Sequence, residues 1–302
     1  MTAHINNFKI HLDRGGLVGA KWWTRKQYHR LKPENLDGRN VFDSEWDLLV
    51  IIDGCDIEWT REVVSEQSLF DEDDLDSIVS VGSGSDDWHE NTFERTPPHV
   101  LEDTAFITGN PFVEAHKPPS LGFLENVKEW GWEESLGAVP AHNITDAAID
   151  VGRTTNFERY VVHYMQPHAP FIERTDPDDR RSVELAYPAK DCREPWYQVM
   201  RGDLSSDRLR QLYVDNLRYV LQEVDLLCRN FAAERAVLSA DHGNGVGDDG
   251  LYGHPARVPI KKLRQVPWIS LTASDEETVR PNISRTPTGI SREDQLSSLG
   301  YL

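Results

Sequence analysis

The chain has 302 residues, of which 38% are hydrophobic and 9% aromatic, so it is long and apolar enough for one large α/β domain. It contains 32 basic and 51 acidic residues, and the resulting net charge of −19 opposes binding to nucleic acid or to anionic membranes. No run of about 18 apolar residues exists, which excludes a membrane-spanning helix, and the three separated cysteines exclude a disulfide framework.

The charge balance also indicates where the protein works. Such a net charge is self-repelling in dilute salt, and concentrated salt screens that repulsion. We therefore expect a halophilic source, with an ordinary acidic mesophilic protein as the alternative. The first residues, MTAHINNFKIHLDRGG, lack the basic and then apolar pattern of a signal peptide, so a cytoplasmic protein is expected; the oligomeric state stays open.

In chain order, the first predicted element is a short amphipathic helix at 21–30, KWWTRKQYHR; a nucleic-acid patch is the alternative. Six apolar runs then predict buried strands, because they are rich in Val, Ile and Leu without strict alternation, as in a parallel sheet covered on both faces. These runs are 46–53, 77–81, 104–109, 159–165, 235–241 and 266–272. Apolar residues at three- and four-residue steps predict a helix over 208–231.

Strands that alternate with helices predict an α/β fold, with a doubly wound, mainly parallel sheet sandwiched by helices and ligands beyond the carboxyl ends of the strands. We assign residues 1–272 to a single domain of this kind and residues 273–302 to a polar tail with a small apolar end. The polar, turn-rich segment 175–207 is predicted to be an insertion or lid. The acidic run DEDDLD at 71–76 is predicted to be a solvated turn.

Polar residues follow four of the predicted strands at the points where those strands end. They are Asp53, Ser83 and Ser85 in GSGSDDW, His168 in QPHAP, and Asp241, His242 and His254 in ADHGNGVGDDGLYGHP. Because carboxyl ends of parallel strands meet at one edge of a sheet, these side chains are expected to share one cleft. Carboxylate and imidazole ligands suit Zn²⁺ or Mn²⁺, and carboxylate-rich subsets suit Mg²⁺ or Ca²⁺. A serine between glycines offers an exposed nucleophile.

Each of these features also has an ordinary structural explanation. An aspartate at a strand end is commonly a helix cap, His168 between two prolines could be a turn residue, and the two serines could cap a helix that begins near Trp88. The prediction of a metal cleft therefore depends on the conjunction of suitable residue types at four strand ends. No GxGxxG or GxxxxGK[ST] sequence is present, so no nucleotide-phosphate loop is predicted.

The order of these motifs resembles the alkaline phosphatase and sulfatase superfamily, especially its compact, sulfatase-like members from halophilic archaea. The resemblance runs through DLLVIIDGCD, SVGSGSDDWHENTF, FITGNPFV, VVHYMQPHAPF and LSADHGNGVGDDGLYGHP and reaches the terminal LGYL. It implies an alkaline-phosphatase-like α/β/α fold in which Asp53, Asp241 and His242 bind one or two divalent ions. It further implies that His254 binds metal or the oxyanion of the substrate and that His168 contacts the transferred group.

The resemblance also implies that the nucleophile lies in GSGSDDW. We assign it to Ser85 rather than Ser83, because Ser85 lies nearer the tryptophan that follows this turn in similar sequences. Neither Ser85 nor Cys55 is followed by the x-Pro-x-Arg signal of formylglycine sulfatases, which favours phosphate esters over sulfate esters. Asn244 stands where an acidic residue is usual and Asp56 where a basic residue is usual, so one metal or two remain open.

The sequence thus predicts a metal-dependent hydrolase or transferase, with Mn, Mg, Ca or Zn as its ion, that acts on an anionic ester such as a sugar or lipid phosphate. Its catalytic residues would be Ser85, His168 and His254. The first alternative is a relative without turnover that serves in binding or assembly, and it is motivated by the unusual acidic turn after Ser85. The second is a phosphosugar mutase, which would need a larger cap than 175–207.

Overall fold

A computed structural model describes residues 2–64, 75–189 and 191–299 of the chain. Most of the acidic run at 71–76 and the last three residues lie outside these ranges. The strands are β1 (Leu48–Asp53), β2 (Leu75–Val79), β3 (Thr104–Thr108), β4 (Phe123–Asn126), β5 (Arg159–Pro167), β6 (Ile172–Arg174), β7 (Val183–Leu185), β8 (Asn230–Ala240), β9 (Gly245–Val246), β10 (Tyr252–Gly253) and β11 (Gln265–Asp275). The helices are α1 (Thr2–Leu31), α2 (Ile57–Val64), α3 (Ser85–Arg95), α4 (Pro98–Glu102), α5 (Val113–His116), α6 (Lys128–Gly131), α7 (Ala141–Thr154), α8 (Glu194–Arg201), α9 (Ser206–Cys228), α10 (Lys261–Arg264) and α11 (Arg292–Ser298).

The central sheet has seven strands in the order β2-β11-β8-β1-β5-β3-β4. Strand β1 pairs in parallel with β5 and β8, and β3 pairs in parallel with β5 and β4. Strand β11 runs antiparallel to both β2 and β8. The fully buried run LLVIID of β1 lies at the centre, as continuous apolar strands of parallel sheets do. The predicted doubly wound, mainly parallel sheet is confirmed, and the run at 266–272 is its antiparallel member.

Helices cover both faces of this sheet, and two neighbouring residues of β5 show the two faces directly. The ring of His163 stacks on that of His89 in α3, with centroids 5.3 Å apart. The hydroxyl of Tyr164 lies 2.9 Å from Thr145 Oγ1 in α7. Because successive side chains of a strand point to opposite faces, α3 and α7 lie on opposite sides of the sheet. The helix predicted over 208–231 is observed as α9, which packs against α7 and β5.

The segment 175–207 has secondary structure of its own. Strand β7 pairs with β6 in an antiparallel hairpin, and helix α8 packs on α1. Arg180 and Arg181 both form ion pairs with the buried Asp146 of α7, and Arg180 Nη1 also lies 2.7 Å from Glu223 Oε2 in α9. These ion pairs attach the hairpin to the helical layer. Its role as a lid stays a prediction.

Helix α1 includes the predicted helix at 21–30 and extends well beyond it. It is interrupted at Gly16, whose φ of 60° lies in the left-handed region that favours glycine. Trp22 is buried beside Tyr197 of α8, and its Nε1 donates to the carbonyl oxygen of Tyr252 at 2.9 Å. Across the described ranges, no helix has a stretch that is long and apolar enough to cross a membrane.

Residues beyond 272 are attached to the body of the protein at several points. Arg153 Nη2 of α7 lies 2.6 Å from Asp275 Oδ1 at the end of β11. Arg285 Nε lies 3.1 Å from Glu125 Oε1 in β4, and Leu299 is buried. The division into a domain of residues 1–272 and a tail stays a prediction.

Candidate active site

Three buried side chains from neighbouring strands converge beyond the carboxyl ends of those strands. Asp53 is the last residue of β1, and Asp241 and His242 directly follow β8, the parallel neighbour of β1. All three are fully buried and offer ligand atoms within 4.8 Å of one another. His242 Nε2 is 3.4 Å from Asp53 Oδ1 and 3.4 Å from Asp241 Oδ2. The parallel pairing of β1 and β8 therefore brings together residues that are far apart in sequence.

The electrostatics of these residues fit a divalent cation. Burial raises the pKa of Asp241, and the nearby carboxylate of Asp53 raises it further, to about 7. Burial opposes protonation of His242, but the two carboxylates outweigh it and raise the pKa of this imidazole to about 9. Asp53 Oδ1 is buried and forms no hydrogen bond with the described residues. Two buried carboxylates, one with an unused acceptor atom, beside an imidazole are a donor set that suits such an ion.

The hydroxyl of Ser85 lies between the two carboxylates. Its Oγ donates to Asp241 Oδ2 at 2.7 Å and lies 3.3 Å from Asp53 Oδ2 and 3.4 Å from His242 Nε2. Ser85 is the first residue of α3, so its hydroxyl is also at the positive end of that helix dipole. This position suits an oxygen that becomes negative during a reaction.

Ser83 has a different environment. Its Oγ accepts a hydrogen bond from the backbone N–H of Val258 at 2.9 Å, and its own N–H donates to Asp87 Oδ2 at 2.9 Å. Both contacts hold the turn in place. Glycine is required at the neighbouring position 82, because a Cβ on Gly82 would lie 2.5 Å from the backbone nitrogen of Trp88. Ser85, rather than Ser83, is the serine that contacts the carboxylates.

His168 and His254 approach the same site from two loops. Their Nε2 atoms are 2.8 Å apart, and the ring of His254 stacks on that of His242 with centroids 4.4 Å apart. Burial lowers the pKa of both His168 and His254, and the charge of His242 lowers both further. Both rings are therefore neutral near pH 7, so one ring donates its N–H to the other. All six residues assigned from the sequence lie in one cluster.

Two acidic residues close to the cluster in sequence, Asp86 after Ser85 and Asp56 after Asp53, have polar or cationic neighbours. Asp86 Oδ1 lies 2.8 Å from His116 Nε2, and its Oδ2 lies 3.8 Å from Arg257 Nη2. Asp56, which stands where the resemblance implies a basic residue, lies 2.9 Å from Lys262 Nζ. Arg257 and Lys262 therefore offset part of the negative charge that would repel an anionic substrate.

Three residues of the site were missed by the sequence analysis. Asn110 Nδ2 donates to Asp53 Oδ2 at 3.1 Å, and His163 Nε2 lies 3.8 Å from Asp241 Oδ2. Asn216 Nδ2 of α9 donates to the carbonyl oxygen of His168 at 3.2 Å. Asn110 follows β3 closely, so the criterion of polar residues after strands could have found it. The other two lie inside a strand and a helix, where only the three-dimensional packing reveals them.

A cavity of about 430 Å³ opens beside this cluster, and Ser85, His168 and His254 are part of its lining. The other walls come from α1, α8 and the loop at 252–256. Its volume suits a small organic molecule.

Comparisons with known proteins show what the fold is similar to. No protein-family model matches the chain, and no curated protein matches it in sequence. The soluble domain of lipooligosaccharide phosphoethanolamine transferase A from Neisseria meningitidis aligns with a TM-score of 0.50 at 14% identity, over 83% of this chain and 81% of that domain. The integral membrane protein EptA from the same organism aligns with a TM-score of 0.50 at 13% identity, over 94% of this chain and 58% of that one.

A protein in the alkaline phosphatase superfamily from Vibrio parahaemolyticus aligns with a TM-score of 0.39 at 10% identity, over 83% of this chain and 63% of that one. Identities this low concern the fold and not an activity. The fold of this chain, a mainly parallel sheet between helical layers, is shared with the soluble domain of the phosphoethanolamine transferase.

Proposed function

We propose that the protein is a metal-dependent enzyme that hydrolyses or transfers phosphate esters through Ser85. The observation that carries this proposal is the position of Ser85 Oγ, 2.7 Å and 3.3 Å from the carboxylates of Asp241 and Asp53. Those carboxylates and His242 would hold the ion. The shared fold of a phosphoethanolamine transferase agrees with this class of reaction.

In this proposal a bound divalent ion would neutralise charge on the phosphoryl oxygens. Ser85 Oγ attacks phosphorus, so that an Oγ–P bond forms while the ester P–O bond breaks, and the Oγ proton moves to the Asp241 carboxylate. His254 turns its ring N–H from His168 Nε2 to a phosphoryl oxygen, while the neutral His168 beside it keeps its proton on Nδ1 for the carbonyl oxygen of Ala169. Water or an alcohol then displaces Ser85 from phosphorus and loses its proton to solvent, while Ser85 Oγ takes back the proton held by Asp241. The leaving alcohol takes its proton from water.

Two finer assignments belong to the same proposal. The net charge of −19 favours a protein that works in concentrated salt, as in a halophilic cell. Mn, Mg, Ca and Zn are the candidate ions, because carboxylate and imidazole donors suit each of them to some degree.

Turnover of simple esters tests the nucleophile. An aryl phosphate monoester, a diester and an aryl sulfate are offered in concentrated KCl with each of the four ions in turn. We expect metal-dependent release of the aryl alcohol from a phosphate ester, and a loss of roughly 10³-fold or more in kcat for Ser85→Ala. The matched variant Ser83→Ala should lose far less, because the Ser83 hydroxyl bonds to the N–H of Val258 and not to the carboxylates of Asp53 and Asp241.

Equal turnover by Ser85→Ala and the wild type would reject Ser85 as the nucleophile. A folded, metal-loaded wild type that turns over no phosphate ester would reject the proposal. That second result would support the non-catalytic alternative, in which the fold serves in binding or assembly.

A further inference from the structure

The cavity beside Ser85 is positively charged although the protein as a whole is strongly acidic. Its lining includes three basic side chains, Lys26, Arg30 and Arg193, and one acidic side chain, Asp86. Asp86 has a cationic neighbour of its own, because its Oδ2 lies 3.8 Å from Arg257 Nη2. A pocket whose sign is opposite to that of the whole protein attracts anionic ligands.

Two of these cations lie at different depths along α1. Arg30 is beside the Ser85 turn, because its Nη2 donates to the carbonyl oxygen of Ala256 at 2.6 Å, and a Cβ on Gly84 would lie 3.4 Å from Cα of Ala256. Lys26 is four residues earlier in the helix and therefore lies on the same side, about 6 Å farther along the helix axis. The cavity thus presents positive charge both near Ser85 and one helical turn away.

The environment of Lys26 favours the binding of an anion. Its side chain is half-buried, and it forms no hydrogen bond or ion pair with any residue in the described ranges. Its ammonium lies 5.3 Å from the ring centroid of Trp22. Burial lowers the pKa of Lys26, and the nearby Arg30 and Arg193 lower it further, to about 8, so the group is still mostly charged at neutral pH. A half-buried cation beside two others gains more from a bound anion than an exposed lysine does.

The surface around these cations is largely aromatic. Trp196 and Tyr197 of α8 and Tyr252 line the same cavity, together with the thioether of Met200. Two of the rings are held in place, because Trp196 Nε1 donates to the carbonyl oxygen of Gly245 at 3.2 Å and the Tyr197 hydroxyl is 2.6 Å from His11 Nδ1. Rigid aromatic walls suit the organic part of a substrate rather than water alone.

We propose that Lys26 and Arg193 form a second anion subsite, so that the substrate is an organic phosphate ester with a further negative group, a carboxylate or a second phosphate. The aromatic wall holds the organic part between the two anionic ends. This inference rests on the proposed function, since Ser85 defines the reacting end. The same cations disfavour a substrate whose far end carries an ammonium group.

The test uses aryl phosphates that differ in the charge of one substituent. The para substituent ends in a carboxylate after zero, one or two methylene groups, and each ester is compared with its uncharged carboxamide at one fixed KCl concentration. We expect the wild type to prefer the carboxylate at one chain length by at least about tenfold in kcat/KM. Lys26→Met, which keeps an apolar stem, should reduce that preference to near one, and Lys21→Met on the exposed side of α1 should retain it.

The subsite would be overturned by a wild type that shows no preference for the carboxylate at any chain length, or by a preference that persists in Lys26→Met. It would also be overturned if Lys26→Met lowered kcat/KM equally for the carboxylate and the carboxamide, because Lys26 would then bind the transferred group. Calorimetry on Ser85→Ala with 4-carboxybenzylphosphonate and its carboxamide separates this inference from the proposed function. Preferential binding of the carboxylate there, in a protein whose wild type turns over no ester, would keep the subsite and reject the enzyme.

Discussion

Each carboxylate of the site has one oxygen that accepts an N–H from the surrounding fold and one that lies near His242, and the latter oxygen of Asp241 also accepts from Ser85. Asp241 Oδ1 accepts from the backbone N–H of Gly54 at 2.9 Å, and Asp53 Oδ2 accepts from Asn110 Nδ2 at 3.1 Å. The remaining oxygens, Asp241 Oδ2 and Asp53 Oδ1, are both 3.4 Å from His242 Nε2. Fixed orientation of this kind is what keeps metal ligands in place, because groups that bind the ligands set their geometry.

Asn216 has a comparable positioning role for His168. It donates to the carbonyl oxygens of Pro167 and His168 at 3.1 and 3.2 Å, and its Oδ1 accepts from the N–H of Ile172 at 3.2 Å. Asn216→Ala leaves these buried groups without partners, so we expect the free energy of unfolding to fall by about 2 kcal/mol. We also expect kcat to fall by roughly tenfold with little change in KM, because His168 is displaced.

Urea denaturation and steady-state kinetics measure the two effects. Gln211→Ala, on the exposed side of the same helix, is the control. Reduced stability with unchanged kcat would show that Asn216 supports only the fold.

For single residues, the sequence indicates the site where a polar residue comes at the end of an apolar run. Asp53 and Asp241 are recognisable because an acidic residue directly follows an apolar run, and parallel pairing then determines where it lies. His163 carries no such signal, since it lies within VVHYM and reads as one more residue of a buried strand. Its distance of 3.8 Å from Asp241 Oδ2 follows from sheet register alone.

Among the elements, the positions of the strands could be predicted from the sequence better than whether each strand is parallel or antiparallel to its neighbours. All six apolar runs are strands, because each has the continuous apolar signature of strands in a parallel sheet, although β2 is only partly buried. The run at 266–272 has that signature too, yet β11 is antiparallel to β8. An apolar composition does not by itself distinguish the two strand directions. Short strands such as β4, β6 and β7 were missed, because three or four residues are too few to show a period.

Arg180 joins the β6–β7 hairpin to both α7 and α9, where Arg181 also pairs with Asp146 and Arg174 with Glu223. Arg180 forms ion pairs with Asp146 and Glu223, whose side chains are each only 1% exposed. Arg180→Met leaves two buried carboxylates short of a partner, so we expect the free energy of unfolding to fall by about 3 kcal/mol. Chemical denaturation measures this change in the free energy of unfolding, and Arg208→Met at an exposed position of α9 is the matched control. A loss below about 1 kcal/mol would show that Arg181 alone holds Asp146 and that the hairpin needs no second pair.

For the whole molecule, the net charge of −19 is the dominant electrostatic feature. Long-range repulsion of this size is reduced when the Debye length falls from about 10 Å at 0.1 M salt to about 3 Å at 1 M. We therefore expect Tm, followed by circular dichroism, to rise by several degrees between 0.1 and 1 M KCl. The many Arg–carboxylate pairs act in the opposite direction, because salt weakens them too. A Tm that falls over this range would favour the mesophilic alternative.

The cavity could not be predicted from the sequence. Its walls come from α1, α8 and the loop at 252–256, and no local pattern indicates that an N-terminal helix packs on α8 beside the Ser85 turn. The spacing of Lys26 and Arg30 on one side of α1 is visible in the sequence. Its importance becomes clear only once the partner surface is known.

The measurement that tests the central claim most directly is calorimetric titration of the chelator-treated protein with Mn²⁺, Mg²⁺, Ca²⁺ and Zn²⁺, for the wild type and for Asp53→Asn. We expect the wild type to bind at least one of these ions, and the substitution to weaken that binding by roughly tenfold or more, because it removes a buried charged ligand. Equal binding by both proteins, or no binding of any ion by the folded wild type, would contradict a metal site formed by Asp53, Asp241 and His242.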